Sequence, residues 1–164
     1  MTSYSGGCQC GEVRYRVEGE LSNPHLCHCR MCQKAAGNYF MPLAGADPAS
    51  FSITRGEPAW FNSSDPVKRG FCANCGTPLF FANTDDSHIA VTLGSLDDPA
   101  SVEPVAVFGV EARIPWIAEV CAMQGRTTEA DEMQDGVPLA EITATNHQHP
   151  DRDTDTWPPE GDHG

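Results

Sequence analysis

The sequence predicts a mainly β fold on three observations. Seven apolar runs of strand length fall within residues 1–126, glycine and proline separate nearly all of them, and seven of the eight cysteines sit in tight groups that read as metal knuckles on loops. In chain order, VRYRV at 13–17 alternates with period two, the pattern of a half-buried strand. YFMPL at 39–43, FSIT at 51–54, AWFN at 59–62, PLFFA at 78–82, HIAVTL at 88–93 and PVAVFGV at 104–110 are apolar runs bounded by turn residues. Helix is scarce. A turn is expected after Cys29, another near 98–101, and a short segment from Pro115, where proline suits a first helical position ahead of WIAEVCAM.

At 164 residues the chain has room for one ordinary domain and an appendage. The domain is assigned to residues 1–126 and the appendage to an acidic, Pro/Asp-rich tail over 127–164. That tail holds ten acidic residues against the single Arg152, a balance of −9, and leaves −4 for residues 1–126. With few aliphatic side chains it offers little to offset its ordering entropy, so a solvated, flexible extension is expected, with PLAEI at 138–142 as a short contact at most. His147 and His149 are expected to be hydrated there.

The formal charge of −13 argues against a nucleic-acid partner, because affinity for phosphates rests on clustered Lys and Arg. No basic, apolar leader opens the chain, and no run approaches the roughly 18 apolar residues of a membrane span, which predicts a soluble cytoplasmic protein. In that compartment grouped thiols are metal ligands more often than disulfides.

The cysteine groups are Cys8 and Cys10 (GGCQCGEV), Cys27, Cys29 and Cys32 (LCHCRMCQK), and Cys72 and Cys75 (FCANCGTPL). A structural zinc takes four protein ligands and a catalytic one three plus an open position, so seven thiols divide into four and three. Cys8, Cys10, Cys72 and Cys75 come as two pairs, each followed by glycine and a strand, and together would close one site. Cys27, Cys29 and Cys32 remain as a local cup whose fourth position is left for substrate or water. Two alternatives stay open: closure of the cup by His25 or His28, and a metal-free thiol cluster. A coordinated thiol loses its proton near neutral pH, so three thiolates on zinc fit thiol chemistry.

GGCQCGEVRYRV, CHCRMCQKAAG, FCANCGTPLFF, HIAVTLGSLDDP and EARIPW, in this order and spacing, resemble the glutathione-dependent formaldehyde-activating (GFA) family over about residues 6–116. The resemblance implies an Mss4-like β fold of short antiparallel strands, a closed zinc on Cys8, Cys10, Cys72 and Cys75, and a labile, catalytic zinc on Cys27, Cys29 and Cys32. The implied reaction is that of a carbon–sulfur lyase or synthase, adding glutathione to formaldehyde to give S-hydroxymethylglutathione. The competing class is a non-enzymatic, zinc-stabilised binding module whose acidic tail engages a basic partner. Glutathione is a net anion, so Arg30 and Lys34 beside the cup are the candidate binding cations, with Arg113, Lys68 and Arg69 next. Cys121 is expected as a buried, inert thiol rather than a redox cysteine, and Trp60 and Trp116 as core residues. Oligomeric state is not legible.

Overall fold

The computed structural model describes residues 2–127, 133–134 and 136–158. The fold is mainly β, as the sequence predicts. β1 (Ser3–Gly7), β2 (Arg14–Glu18) and β5 (Phe51–Arg55) form a three-stranded antiparallel sheet in the order β1-β2-β5. A seven-stranded sheet follows the order β10-β3-β4-β9-β8-β7-β6. Its strands are β3 (Ser22–Cys27), β4 (Met41–Ala46), β6 (Ala59–Asn62), β7 (Val67–Phe71), β8 (Pro78–Asn83), β9 (Ile89–Thr92) and β10 (Ala106–Phe108). Every pairing in it is antiparallel except that of β10 with β3.

Strand character follows burial. β9 is buried at all four positions and reads as an unbroken apolar run, as a central strand covered on both faces should. β2 alternates instead, placing Tyr15 and Val17 inward. The two sheets meet there: Tyr15 lies edge-on to Phe80 at 5.1 Å and Phe51 edge-on to the same ring at 5.2 Å, with Val13, Leu79 and Val91 fully buried around them. Each such side chain contributes about 1.5–3 kcal/mol of burial. The Tyr15 hydroxyl is satisfied by Ser95 Oγ at 2.7 Å.

Three strands were not legible. SYSGG, SNPHLC and VKRGF lack the β-branched and aromatic density that marks a strand, and each is held extended by its neighbours. α1 (Arg30–Ala36) follows Cys29 as expected and ends on Gly37 in the left-handed region, while residues 99–101 form a single 3₁₀ turn. α2 (Ile117–Cys121) is only five residues long and buries Ile117 alone. That brevity corrects the expectation for Cys121, which is exposed. Trp60 and Trp116 are likewise not core residues, at 41% and 43% exposure: Trp60 stacks on Phe80 from an outer strand, and Trp116 lies edge-on to Tyr39 at the surface. No helix among the described residues is long and apolar enough to cross a membrane.

Beyond residue 127 the chain forms a small hairpin of β11 (Met133–Gln134) and β12 (Val137–Pro138), then α3 (Leu139–Ala144), which takes up most of PLAEI. Residues 149–157 depart from the solvated extension the sequence predicts. They lie as a strap over the β1–β2 turn. The His149 amide donates to Gln9 O (2.7 Å), the Trp157 indole N–H to Cys10 O (2.7 Å), and Asp153 accepts from Arg14 (2.7 Å) and Arg16 (2.9 Å). Arg14 is buried and also grips Asp97 with both terminal nitrogens, at 2.7 and 2.6 Å. Arg55 reaches Thr154 Oγ1 (3.1 Å) and His149 Nε2 (3.2 Å). Gly11, at φ +78°, lies directly beneath the His149 ring, where any side chain would collide with it. Composition pointed to solvent because polar contacts to arginines, not apolar burial, hold the strap.

His149 is docked as a neutral ring. Its Nδ1–H donates to Pro150 O (2.7 Å) and its Nε2 accepts from the Arg55 guanidinium. Burial, aided by the Arg14 and Arg55 cations, holds it below the usual histidine range. The undocked ring therefore binds a proton more readily than the docked one. Docking is at full strength above the ordinary value of about 6.5 and weakens as pH falls below it. Burial alone would raise the Asp153 carboxyl, but Arg14 and Arg16 hold it below the usual range, so a second loss follows as pH falls under about 4. Hydrogen-exchange protection of the His149 amide is expected to fall between about pH 7 and about pH 5.5. In His149→Gln it should not change over that interval, and a wild type equally insensitive would refute the neutral assignment.

Candidate metal centres

Both cysteine groups are brought together by turns. Cys8 and Cys10 occupy the β1–β2 turn, closed by the Cys8 amide on Val13 O (3.0 Å) and the Gly11 amide on Cys8 O (3.0 Å). Cys72 and Cys75 occupy the β7–β8 turn, closed by the Gly76 amide on Cys72 O (2.9 Å). The four sulfurs lie within 4.8 Å of one another, with Cys8 to Cys10 at 3.6 Å and Cys10 to Cys72 at 3.8 Å. A tetrahedral zinc with Zn–S of about 2.3 Å sets sulfurs about 3.8 Å apart, so the donor set fits that ion. Backbone and side-chain donors point at the sulfurs as a thiolate site requires: Val13 N–H on Cys8 (3.2 Å) and the Asn74 amide on Cys10 (3.5 Å). Burial pushes the Cys75 thiol up, but hydrogen bonds led by the Thr77 hydroxyl outweigh it and bring the thiol down to about 6. Burial pushes the Cys72 thiol strongly upward, so a shared divalent cation is what would ionise the set together.

The second group is local. Cys27 ends β3, Cys29 caps the N-terminus of α1, and Cys32 lies in its first turn with its N–H on Cys29 Sγ (3.4 Å). Their sulfurs also lie within 4.8 Å of one another. No fourth Cys, His, Asp or Glu ligand among the described residues joins them. His25 bonds Asn23 O through Nδ1, and His28 is buried with its ring against Phe40. Burial, with Arg113 nearby, holds the His28 ring below the usual histidine range. Burial likewise pushes Cys32 up to about 12, partly offset by the Arg69 guanidinium.

Residues that spacing did not reveal shape this cup. The buried Gln33 donates from Nε2 to His28 O and Ala112 O, both at 2.8 Å, tying α1 to the loop after β10. The His28 amide bonds Phe108 O at 2.8 Å. Gly109, at φ +65°, presses on Cys29: a Cβ there would stand 2.4 Å from the Cys29 nitrogen. In the sequence Gly109 is one more strand-end glycine and Gln33 one more helical polar residue, so neither carried a signal. Of the expected cations, Arg30 and Lys34 are exposed on α1 and line a groove of about 400 Å³ with Met31, Ala35, Phe61 and Arg69. Arg113 is exposed and does not line this groove, and Lys68 pairs with Asp86 (2.5 Å). Arg69 is the buried one of that pair.

The family model described as glutathione-dependent formaldehyde-activating enzyme matches residues 3–111, which holds both cysteine groups and both sheets. The chain belongs to this family. A protein of Schizosaccharomyces pombe described as an uncharacterized lyase is 32% identical over 85 residues, covering 52% of this chain and 61% of that protein. A Halomonas elongata protein, provisionally named a glutathione-dependent formaldehyde-activating enzyme, is 31% identical over 84 residues, covering 46% and 53%. The chain thus spans somewhat over half the length of these curated relatives. A Rhodobacter sphaeroides protein of known crystal structure shares the fold at TM-score 0.50 and 20% identity, covering 63% of this chain and 98% of that one. The two-sheet architecture is consistent with the Mss4-like expectation.

Two outcomes are expected from the unequal placement of the groups. Cys72→Ser should prevent folding or lower the melting temperature severely, because it breaks the junction between sheets, whereas Cys27→Ser should leave circular dichroism and melting nearly unchanged. Equal damage from both would contradict this. Gly109→Ala adds left-handed strain of about 1 kcal/mol or more and a backbone collision. In a cadmium titration followed by sulfur-to-metal absorbance it should weaken only the second binding step, by about tenfold or more.

Proposed function

We propose that the chain is a zinc-dependent carbon–sulfur lyase of the GFA type, joining glutathione to a small aldehyde such as formaldehyde. Its two zinc ions have separate roles: a structural one on Cys8, Cys10, Cys72 and Cys75, and a labile, catalytic one on Cys27, Cys29 and Cys32. The observation that carries this reading is a set of three converging sulfurs with no fourth protein ligand among the described residues, beside a groove lined by cationic side chains. Family membership supports it.

When bound on the cup, zinc would supply a position that keeps an incoming thiol ionised near neutral pH without a dedicated base. The chain's own residues do the rest. Cys27, Cys29 and Cys32 hold the ion and, by leaving one side open, admit a small ligand. Arg30 and Lys34 attract the carboxylates of glutathione on a protein whose net charge would otherwise repel them. Arg30 is fixed for this by its bond to Gln33 Oε1 (3.0 Å), the residue that also braces the cup. Met31 and Phe61 add apolar surface to the groove beside these cations. In the overall reaction the thiol sulfur bonds to the carbonyl carbon of formaldehyde and the thiol proton ends on the new hydroxyl, with no change of oxidation state. The reading takes the chain as cytoplasmic, where thiols stay reduced and glutathione is at hand.

Because the addition also proceeds in plain buffer, exchange NMR of a glutathione–formaldehyde mixture is the appropriate test. The zinc-loaded chain is expected to raise the exchange rate over protein-free solution, Cys27→Ser to abolish the increase, and Arg30→Ala with Lys34→Ala to reduce it several-fold through KM. No increase with wild type would overturn the substrate assignment.

A further inference from the structure

Arg69 on β7 is a buried cation, only 8% exposed. Its Nε donates to Ser63 Oγ (3.1 Å), one terminal nitrogen to Met41 Sδ (3.4 Å) and the other to Cys32 Sγ (3.5 Å), and its guanidinium lies over the Phe81 ring at 5.2 Å. Among the described residues the ion pairs join Arg14, Arg16 and Lys68 to carboxylates, and none includes Arg69. A guanidinium stays protonated at any pH the fold survives, and burying it among neutral groups alone is strongly unfavourable. A hydroxyl, a thioether and a ring face carry no full negative charge. Of its partners only the Cys32 sulfur can.

We propose that Arg69 is the built-in counter-charge of the Cys27, Cys29 and Cys32 centre, a positioning residue that holds Cys32 as a thiolate ligand and lets the cup accept an anionic sulfur from outside. The inference rests on the reading above, in which this cup holds zinc. Three thiolates on a divalent ion sum to −1, which Arg69 brings to zero. A further thiolate would make the centre −2, and Arg69 halves that. Lysine does not replace it, because the planar fork serves Ser63, Met41 and Cys32 together. Arg69 also lines the groove that bears Arg30 and Lys34, so the charge that steadies the ligand sulfur belongs to the same cationic surface.

The test follows zinc release from the full, zinc-loaded chain to a chromogenic chelator. Wild type is expected to release one ion quickly and one slowly. Arg69→Gln should speed the fast phase about tenfold or more, the scale of one charge-assisted hydrogen bond, and leave the slow phase unchanged. Arg69→Lys should fall between them. In the cobalt-substituted chain, loss of the N–H···S donor should also move the cup's sulfur-to-metal absorption to longer wavelength. An unchanged fast phase and an unmoved band in Arg69→Gln would overturn the proposal while leaving the open-site reading intact. A wild type that holds no metal on the three sulfurs overturns both. Should Arg69→Gln not fold, ¹⁵N NMR of wild type decides: the Arg69 side-chain signals must shift when the fast zinc is withdrawn, and signals that stay put refute the assignment.

Discussion

The junction of four sulfurs between the β1–β2 and β7–β8 turns is the constraint on which the rest of the structure depends. The β1–β2 turn belongs to the three-stranded sheet and the β7–β8 turn to the seven-stranded one, so a cation shared by the four thiolates would fasten the two sheets at one corner. A domain of this size is stable by about 5–15 kcal/mol in total, and a structural zinc on such a set binds with about 10–16 kcal/mol. A metal held there would therefore contribute as much as the whole margin. The apolar contacts around Tyr15 and Phe80 shape the interface between sheets, but the sulfurs fix how they meet.

The three-sulfur cup is built on a different plan. Its ligands span only six residues and bridge no sheets, so nothing in the main core waits on them. What holds the cup is a ring of hydrogen bonds through Gln33, His28 and the loop after β10, with Gly109 packed against the Cys29 backbone. A site braced from outside its ligands can keep its shape while its occupant changes. The cations gathered on one side, Arg30, Lys34 and Arg69, stand against an overall charge of −13, which concentrates attraction for anions at this groove.

Much of this was legible because metal ligands are local signals. The CxC and CxxC spacings fix which sulfurs converge within each group, and the count of seven suggests which groups combine, whether or not the strands themselves are recognised. Less was visible where packing overrides propensity. β1, β3 and β7 are extended because their partners hold them so, not because Ser, Gly, Pro or Lys favours a strand. The exposure of Trp60, Trp116 and Cys121 depends on which strand is outermost and how soon α2 ends, which no local pattern encodes. Arg69 and Lys68 are neighbours in sequence with opposite fates, since successive strand residues face opposite sides. The strap was hidden because its affinity resides in arginines more than ninety residues upstream.

That strap has a consequence for the order of events during biosynthesis. His149 follows Cys75 by 74 residues, so all four ligand sulfurs have left the ribosome well before the segment that covers the Cys8–Cys10 turn has been translated. A cation bound by the four sulfurs could therefore reach an uncovered turn before the strap docks on it. A cation taken up at that stage would precede the polar contacts of the C-terminal segment with the Cys8–Cys10 turn, so the strap would add its hydrogen bonds to a corner already formed.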